Sequence, residues 1–180
     1  MRNLSKLFLF SAFSAAIFLA SFSMPAIAGD ASAKEPVRKS ADNRYWIYGN
    51  GTILDNTTGL LWMEKDYWQT EGKWVNWYSA KEYAQRMNHK KFGGYSDWRL
   101  PTPEEAQKIY DRRRRNTDKD GDKIYIDRSF PKGAGWSTWT NAEKSSKAVV
   151  VSFKDEGGKA YQDKISGVDA FLRLVRGPVS

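Results

Sequence analysis

The stretch GGYSDWRLPTPEE, residues 93–105, contains the strongest fold-determining signals of this chain. It joins a glycine-rich turn to an aromatic and basic segment, and then to the start of a helix. Thr102 is the predicted N-cap, Pro103 suits the first helical position, and Glu105 completes a T-x-x-E capping box. The run therefore predicts a sharp chain path between two secondary-structure elements.

Helices and strands on both sides of this run indicate the fold class. Apolar residues at helical spacing predict one helix from Asn76 to Met87, and the capping box predicts a second from Pro103 to Arg112. Residues 65–73 are predicted to be a loop. The predicted strands are Tyr45–Tyr48, Thr52–Asp55, Leu60–Met63, Trp136–Thr140, Ala148–Phe153, Lys159–Ile165 and Ala170–Val175. Two helices and several hairpin-linked strands predict an α+β domain with a mainly antiparallel sheet.

The first 43 residues are predicted to precede the folded domain. Residues 1–28 have the basic start, the apolar segment and the A-x-A cleavage site of a signal peptide. An uncleaved membrane anchor is the alternative. Residues 29–43 are small, polar and charged and predict a flexible leader, so the domain spans residues 44–180. We therefore expect an exported protein, periplasmic or secreted to the cell surface, with no membrane span after cleavage.

Composition favours an anionic partner and excludes several kinds of catalytic site. Lys and Arg number 29 against 21 Asp and Glu, for a net charge of +8. Such a balance suits sulfated or acidic glycans, lipopolysaccharide or another polyanion, although solubility alone is the alternative. No signal for specific nucleic-acid binding accompanies it. The chain has no cysteine and a single histidine, His89, so thiol nucleophiles and thiolate metal sites are excluded and multi-histidine sites nearly so.

Several motifs occur in an order that resembles the Lcl C-terminal domain family of bacterial surface and exported proteins. They are Asp55…Thr58-Gly59-Leu60-Leu61-Trp62, Trp77-x-x-Ala80-x-x-Tyr83, Gly93–Thr102 with Glu105, Phe130…Gly135-Trp136-Ser137-Thr138, and Leu172–Arg176. The Arg99–Thr102 run also resembles the formylglycine-generating enzymes. These resemblances imply a C-type-lectin-like fold with two helices and a mainly antiparallel twisted sheet. They also imply an adhesin-like module that binds sulfated glycosaminoglycans as a homotrimer.

The family resemblance implies one core contact and no catalytic activity. Family members often have cysteines where this chain has Ala84 and Leu174. A small residue facing a large one can refill the volume of a disulfide, so we expect these two side chains to meet. The activity of the formylglycine-generating enzymes is not implied, because the cysteines that it requires are absent.

An acidic segment follows the second predicted helix and has the spacing of a calcium-binding loop. Counted from Asn116, oxygen-bearing side chains fall at loop positions 1, 3, 5, 7 and 12, with Gly121 at position 6. The candidate Ca²⁺ ligands are Asn116, Asp118, Asp120, Asp122 and Asp127. Lys123 stands at position 8, where a hydrophobic residue is typical. A solvated acidic turn is therefore the alternative.

A run of four arginines gives the leading candidate binding site. The run is Arg112, Arg113, Arg114 and Arg115, with Lys108 one helical turn earlier. Guanidinium groups donate hydrogen bonds in pairs to sulfate, phosphate and carboxylate. Trp68, in the predicted loop, is an additional candidate for contact with a sugar ring. The alternatives are that the cations stabilise the end of the helix, or that the acidic segment neutralises them.

Three hypotheses about function follow from these observations. The first is a non-enzymatic, exported binding module that recognises anionic glycans or another envelope polyanion. The second is a periplasmic structural or protein-interaction domain whose basic charge is incidental. The third, a degenerate relative of a lectin-fold enzyme, has the least support because the chain has one histidine and no cysteine.

Overall fold

A computed structural model of the chain describes residues 35–154 and 156–177. The predicted signal peptide lies outside these residues. The strands are β1 Arg38–Lys39, β2 Tyr45–Tyr48, β3 Thr52–Asp55, β4 Leu60–Met63, β5 Asn116–Thr117, β6 Lys123–Ile124, β7 Ser137–Lys144, β8 Lys147–Ser152, β9 Lys159–Asp163 and β10 Val175–Arg176. The helices are α1 Tyr67–Glu71, α2 Trp77–His89 and α3 Pro103–Ile109, with a short 3-10 turn at Phe92–Gly94.

The strands form three antiparallel sheets within the described part of the chain. The largest has the order β1-β2-β3-β4-β10, the second is the β5-β6 hairpin, and the third has the order β7-β8-β9. Together with the helices, these sheets confirm the predicted α+β class with mainly antiparallel pairing. The C-type-lectin-like relationship stays a prediction. Strand β1 lies within the range assigned to a flexible leader, so the folded domain begins before residue 44.

Capping side chains explain where the helices begin. Asn76 accepts the Ser79 N–H at the start of α2, and Thr102 and Glu105 form the predicted capping box of α3. Helix α1 occupies the predicted loop, because Asp66 and Gln69 form a second capping box there.

The second predicted helix ends three residues early. Helix α3 stops at Ile109, and Tyr110 has extended backbone angles. The next residue, Asp111, donates its N–H to the Tyr125 carbonyl at 2.8 Å. That bond directs the chain away from the helix axis, so the arginine run follows the helix instead of extending it.

Two hydrophobic clusters form the core. The first packs the buried face of α2 against the segment 170–174 and the start of β8, and it contains both Ala84 and Leu174. The second packs α3 against β2, β3, β4 and the 124–130 segment. Both core clusters exclude water from the sheets, which is the main source of their stability.

The run at 93–105 connects α2, α3 and the C-terminal strand. The Asn88 side chain accepts the Trp98 N–H at 2.6 Å and donates to the Trp98 carbonyl at 2.9 Å, so one amide fixes the buried indole. Arg99 and Val175 exchange both backbone hydrogen bonds, at 2.9 and 3.0 Å. The segment therefore acts as a short strand beside β10.

Both charged residues that flank Trp98 form ion pairs that stabilise this junction. The Arg99 guanidinium donates to both carboxylate oxygens of Glu105, at 2.7 and 2.8 Å. Asp97 accepts two hydrogen bonds from Arg176, at 2.6 and 3.0 Å. These contacts give Asp97 and Arg99 a structural role at the junction.

We predict that Glu105→Gln lowers stability at neutral pH by about 1.5–3 kcal/mol, the range for a hydrogen bond to a charged group. Burial opposes ionisation of Glu105, but hydrogen bonds from Arg99 and the Thr102 N–H outweigh it and lower the pKa of the carboxyl below its ordinary value of 4.5. The ionised group therefore stabilises the fold above pH 4.5, and its contribution is lost as the pH falls through the lowered pKa. Denaturant unfolding between pH 7 and pH 3 measures both effects.

The matched control is Glu104→Gln, which alters the exposed neighbour on the same helix. It should leave stability at pH 7 nearly unchanged. Equal stability of Glu105→Gln and the wild type at pH 7 would contradict the structural role of the Arg99–Glu105 pair.

Candidate functional site

The arginine run forms a compact turn after α3. The Asp111 carboxylate accepts the Arg113 N–H at 2.9 Å, and the Arg114 N–H donates to the Asp111 carbonyl at 2.8 Å. Because the turn changes direction at each residue, the arginine side chains do not share one helical face. Each arginine therefore has a different environment.

Part of this turn lines a basic cleft of about 400 Å³. The opposite wall is the segment around β1, and the floor comes from the loop after β6. The lining residues are Arg38, Lys39, Ser40, Ala41, Arg113, Arg114, Arg115, Asp127, Arg128 and Ser129. Six of these are cationic and only Asp127 is acidic, so the cleft has a strongly positive character.

Two of the six cations serve the fold. Arg114 forms ion pairs with Asp42, with Asp127 at 2.9 Å and with Asp111 at 3.7 Å. Arg113 pairs with Asp111 at 3.0 Å. The hydrogen bond from Ser40, helped by Arg114, lowers the pKa of Asp42 to about 2, and the hydrogen bond from Arg113 lowers the pKa of Asp111 to about 2. These carboxylates stay ionised at any physiological pH and neutralise the two arginines.

The other four cations have no carboxylate partner among the described residues. Arg38 donates to the Ser129 carbonyl at 3.3 Å, and Arg128 donates to the Arg115 carbonyl at 3.1 Å. Arg115 donates to the Arg114 carbonyl at 2.7 Å and lies over the Tyr125 ring at 4.8 Å. Lys39 lies over the Trp46 ring at 4.3 Å. Neutral carbonyls and aromatic rings orient these side chains without cancelling their charge.

The cleft contains only part of the predicted binding set. Arg113, Arg114 and Arg115 line it, whereas Arg112 and Lys108 are exposed outside it. Trp68 is also elsewhere, because it lies in α1 against Phe171, with ring centroids 6.1 Å apart. The Lys119 ammonium covers the Trp68 ring at 4.8 Å.

Sequence reasoning missed three cations of the cleft. Arg38 and Lys39 lie in the range predicted to be a flexible leader, and Arg128 is an isolated cation two residues before the motif that begins at Phe130. The Arg38-Lys39 doublet, which precedes the first predicted strand, was the one sequence signal for these cations. The three residues meet only because β1 pairs with β2 and the 127–129 loop packs beside it, which no local pattern encodes.

The acidic segment forms a tight turn in the β5-β6 hairpin. The Asp118 carboxylate accepts the N–H groups of Asp120 and Asp122 at 3.0 and 2.9 Å. Gly121 supplies the positive φ of 87° that the turn requires. The Asn116 amide group donates to the carbonyls of Asp127 and Phe130, so it is committed to the backbone.

Tethered cations already pair with the carboxylates of this turn. The Lys154 ammonium lies 2.9 Å from both Asp118 and Asp122, and Lys119 lies 2.8 Å from Asp120. Asp127 pairs with Arg114. Within residues 35–154 and 156–177, no three His, Cys, Asp or Glu side chains are grouped to hold a metal ion. As folded, the turn suits Lys154, and calcium binding at Asn116, Asp118, Asp120, Asp122 and Asp127 stays a prediction.

Fold and cleft together define an α+β domain with a basic, preorganised surface site. The family model of the Lcl C-terminal domain matches residues 51–176. The protein therefore belongs to the Lcl C-terminal domain family, as its motifs indicate. A comparison with curated proteins found no significant match. No helix in the described ranges is long and apolar enough to cross a membrane.

We predict that Lys154→Ala destabilises the protein by about 1.5–3 kcal/mol, because the buried Asp118 carboxylate loses its ion pair. The control is Lys132→Ala, an exposed lysine without an ion pair among the described residues, which should leave stability unchanged. Chemical denaturation measures both variants. Equal effects of the two substitutions would contradict a specific role for Lys154.

A comparison of Lys154→Ala with the wild type in the presence of calcium decides the calcium question. If the acidic turn binds Ca²⁺ once the lysine is gone, CaCl₂ should raise the melting temperature of Lys154→Ala more than that of the wild type. A shift in the wild type as large as that in the variant would mean that Lys154 does not hinder calcium binding. Equal and negligible shifts would support the solvated acidic turn.

Proposed function

We propose that this protein is an exported, non-enzymatic binding module that holds an anionic glycan, or another envelope polyanion, in its basic cleft. The observation that carries the proposal is the group of four cations without carboxylate partners: Arg38, Lys39, Arg115 and Arg128. The adhesin-like role that the family resemblance implies agrees with this proposal.

The orientation of these cations suits a ligand with several sulfate or carboxylate groups. A guanidinium that is fixed by a backbone carbonyl loses little conformational freedom when an anion binds, so its hydrogen bonds contribute more to affinity. Three guanidinium groups and an ammonium at different points of the lining favour a chain of spaced anions over a single small ion. A strand of sulfated polysaccharide has this pattern of charge.

The charges around the cleft favour binding over the neutralisation alternative. Asp118, Asp120 and Asp122 pair with Lys154 and Lys119. These two lysines therefore compensate the negative charge of the three carboxylates. Asp127 pairs with Arg114, which leaves the four ligand-facing cations uncompensated.

The non-enzymatic part of the proposal rests on the inventory of reactive groups. The sequence has no cysteine, and its only histidine, His89, is exposed at the last residue of α2. Neither Asp42 nor Asp111 suits general acid–base catalysis near neutral pH, because each carboxyl has a pKa of about 2. A homotrimer, as the family resemblance implies, would add avidity by presenting three clefts.

We predict that the double variant Arg115→Ala/Arg128→Ala binds immobilised heparin about tenfold more weakly than the wild type at low salt. Binding of the wild type should fall as salt rises, because exposed charges are screened. Surface plasmon resonance over a salt series measures both effects. The double variant should show a shallower dependence on salt, since fewer ion contacts remain.

The control is Arg112→Ala/Lys108→Ala, which removes the same charge from exposed residues outside the cleft. Equal losses of heparin affinity in the two double variants would show that binding depends on net charge and not on the cleft. No heparin binding by the wild type at low salt would contradict the proposal and favour a protein-interaction domain. Arg114→Ala is unsuitable as a test because its ion pairs stabilise the fold.

A further inference from the structure

A second cleft, of about 310 Å³, lies on a different part of the domain. Its walls are formed by one side of α2, by residues 98–100 and by strand β7. The lining residues are Trp77, Lys81, Ala84, Gln85, Asn88, Trp98, Arg99, Leu100, Asn141 and Glu143. None of them lines the basic cleft. Its volume is at the lower end of the range for small-molecule sites.

The floor of the second cleft is apolar and rigid. Ala84, Leu100, Trp77 and Trp98 are all buried members of the first core cluster. The indole N–H of Trp77 donates to the Thr140 carbonyl at 2.9 Å. The indole N–H of Trp98 donates to the Phe92 carbonyl, also at 2.9 Å. Because Lys81 and Lys164 lie over the Trp77 ring, the apolar part of the floor comes from Trp98, Leu100 and Ala84, and polar recognition must come from the rim.

A β-bulge directs one rim residue away from the regular sheet. The pairing of β7 with β8 shifts register between Trp139 and Glu143. Within the bulge, the Asn141 N–H bonds to the Pro101 carbonyl at 2.8 Å instead of joining the ladder. Bulges re-aim side chains and are frequent beside binding sites. The exposed Asn141 amide makes no side-chain hydrogen bond within the described residues.

The rim has balanced polar chemistry, unlike the basic cleft. The exposed Gln85 amide also makes no hydrogen bond within the described chain, so two amides are available to donate and accept. Lys81 lies over the Trp77 ring at 4.5 Å, and Glu143 pairs with Lys164. Lys81 adds donors and Glu143 adds acceptors, so charge of one sign does not dominate.

We infer that this second cleft binds a neutral sugar residue. A pyranose ring has an apolar C–H face that suits the hydrocarbon floor. Its hydroxyl groups both donate and accept, which matches the free amides of Asn141 and Gln85. A polyanion would gain little here, because Lys81 is the one cation of this lining without a carboxylate partner among the described residues. The inference is independent of the basic cleft and of its anionic ligand.

The test is a titration of the ¹⁵N-labelled protein with methyl glucoside, methyl galactoside and N-acetylglucosamine, followed by amide chemical shifts. At least one of these probes should move resonances in residues 81–88, 98–100 and 141–143. Asn141→Ala and Gln85→Ala should each weaken that binding about fivefold to tenfold, the effect of one lost hydrogen bond. Both residues are exposed, so the variants should keep the wild-type melting temperature.

Arg128→Ala is the reciprocal control, since it alters the basic cleft and should leave sugar binding unchanged. Heparin binding should in turn be unaffected by Asn141→Ala, which separates failure of this inference from failure of the polyanion proposal. No shifts at the second cleft with any of the three sugars would overturn the inference. Equal sugar binding by wild type, Asn141→Ala and Gln85→Ala would also overturn it, as would shifts there with trialanine but not with sugars.

Discussion

The pairing of Arg99 with Glu105 and with the Val175 backbone is the constraint on which the fold depends. The Arg99 guanidinium crosses from the strand-like segment to the buried carboxylate that caps α3. Its backbone N–H and carbonyl both bond to Val175 of strand β10, which in turn pairs with β4. One residue thus joins a helix start, a chain terminus and the largest sheet. Both core clusters meet at this junction, because Trp98 and Leu100 belong to one and Val175 to the other.

The sequence predicts those parts of the fold that depend on near neighbours. The capping residues of α2 and α3 were recognisable because a cap and its N–H partner are three residues apart. The D-x-x-Q box of Asp66 and Gln69 has the same logic, but a five-residue helix leaves too short an apolar pattern to identify. The pairing of Asp97 with Arg176 joins residues 79 positions apart, and the basic cleft joins β1 to the 127–129 loop. Such contacts depend on how whole helices and strands pack, so the spacing of residues along the sequence does not predict them.

Four consecutive arginines divide into different physical roles once the chain folds. Arg114 is neutralised by three carboxylates, Arg113 by one, Arg115 is oriented by carbonyls, and Arg112 extends into solvent. A count of charges treats them as equal, whereas their partners distinguish the arginines that the fold neutralises from those that it leaves uncompensated. Lys154 likewise pairs with Asp118 and Asp122 of the β5-β6 hairpin, so its charge is compensated there and does not add to the basic cleft. Binding capacity follows from which charges the fold leaves uncompensated.

Strand β1 has only two residues and forms the outer edge of its sheet, yet it carries two of the four uncompensated cations of the basic cleft. Backbone bonds from Val37 to Ile47 and from Ser40 to Tyr45 flank it, and its pairing with β2 is antiparallel across a short turn. A mechanical pull on the preceding chain would open these bonds one after another, as in unzipping. Arg38 and Lys39 would leave the wall of the cleft while the rest of the domain stayed folded. The proposed binding of a polyanion would therefore weaken under tension applied from the N-terminal side.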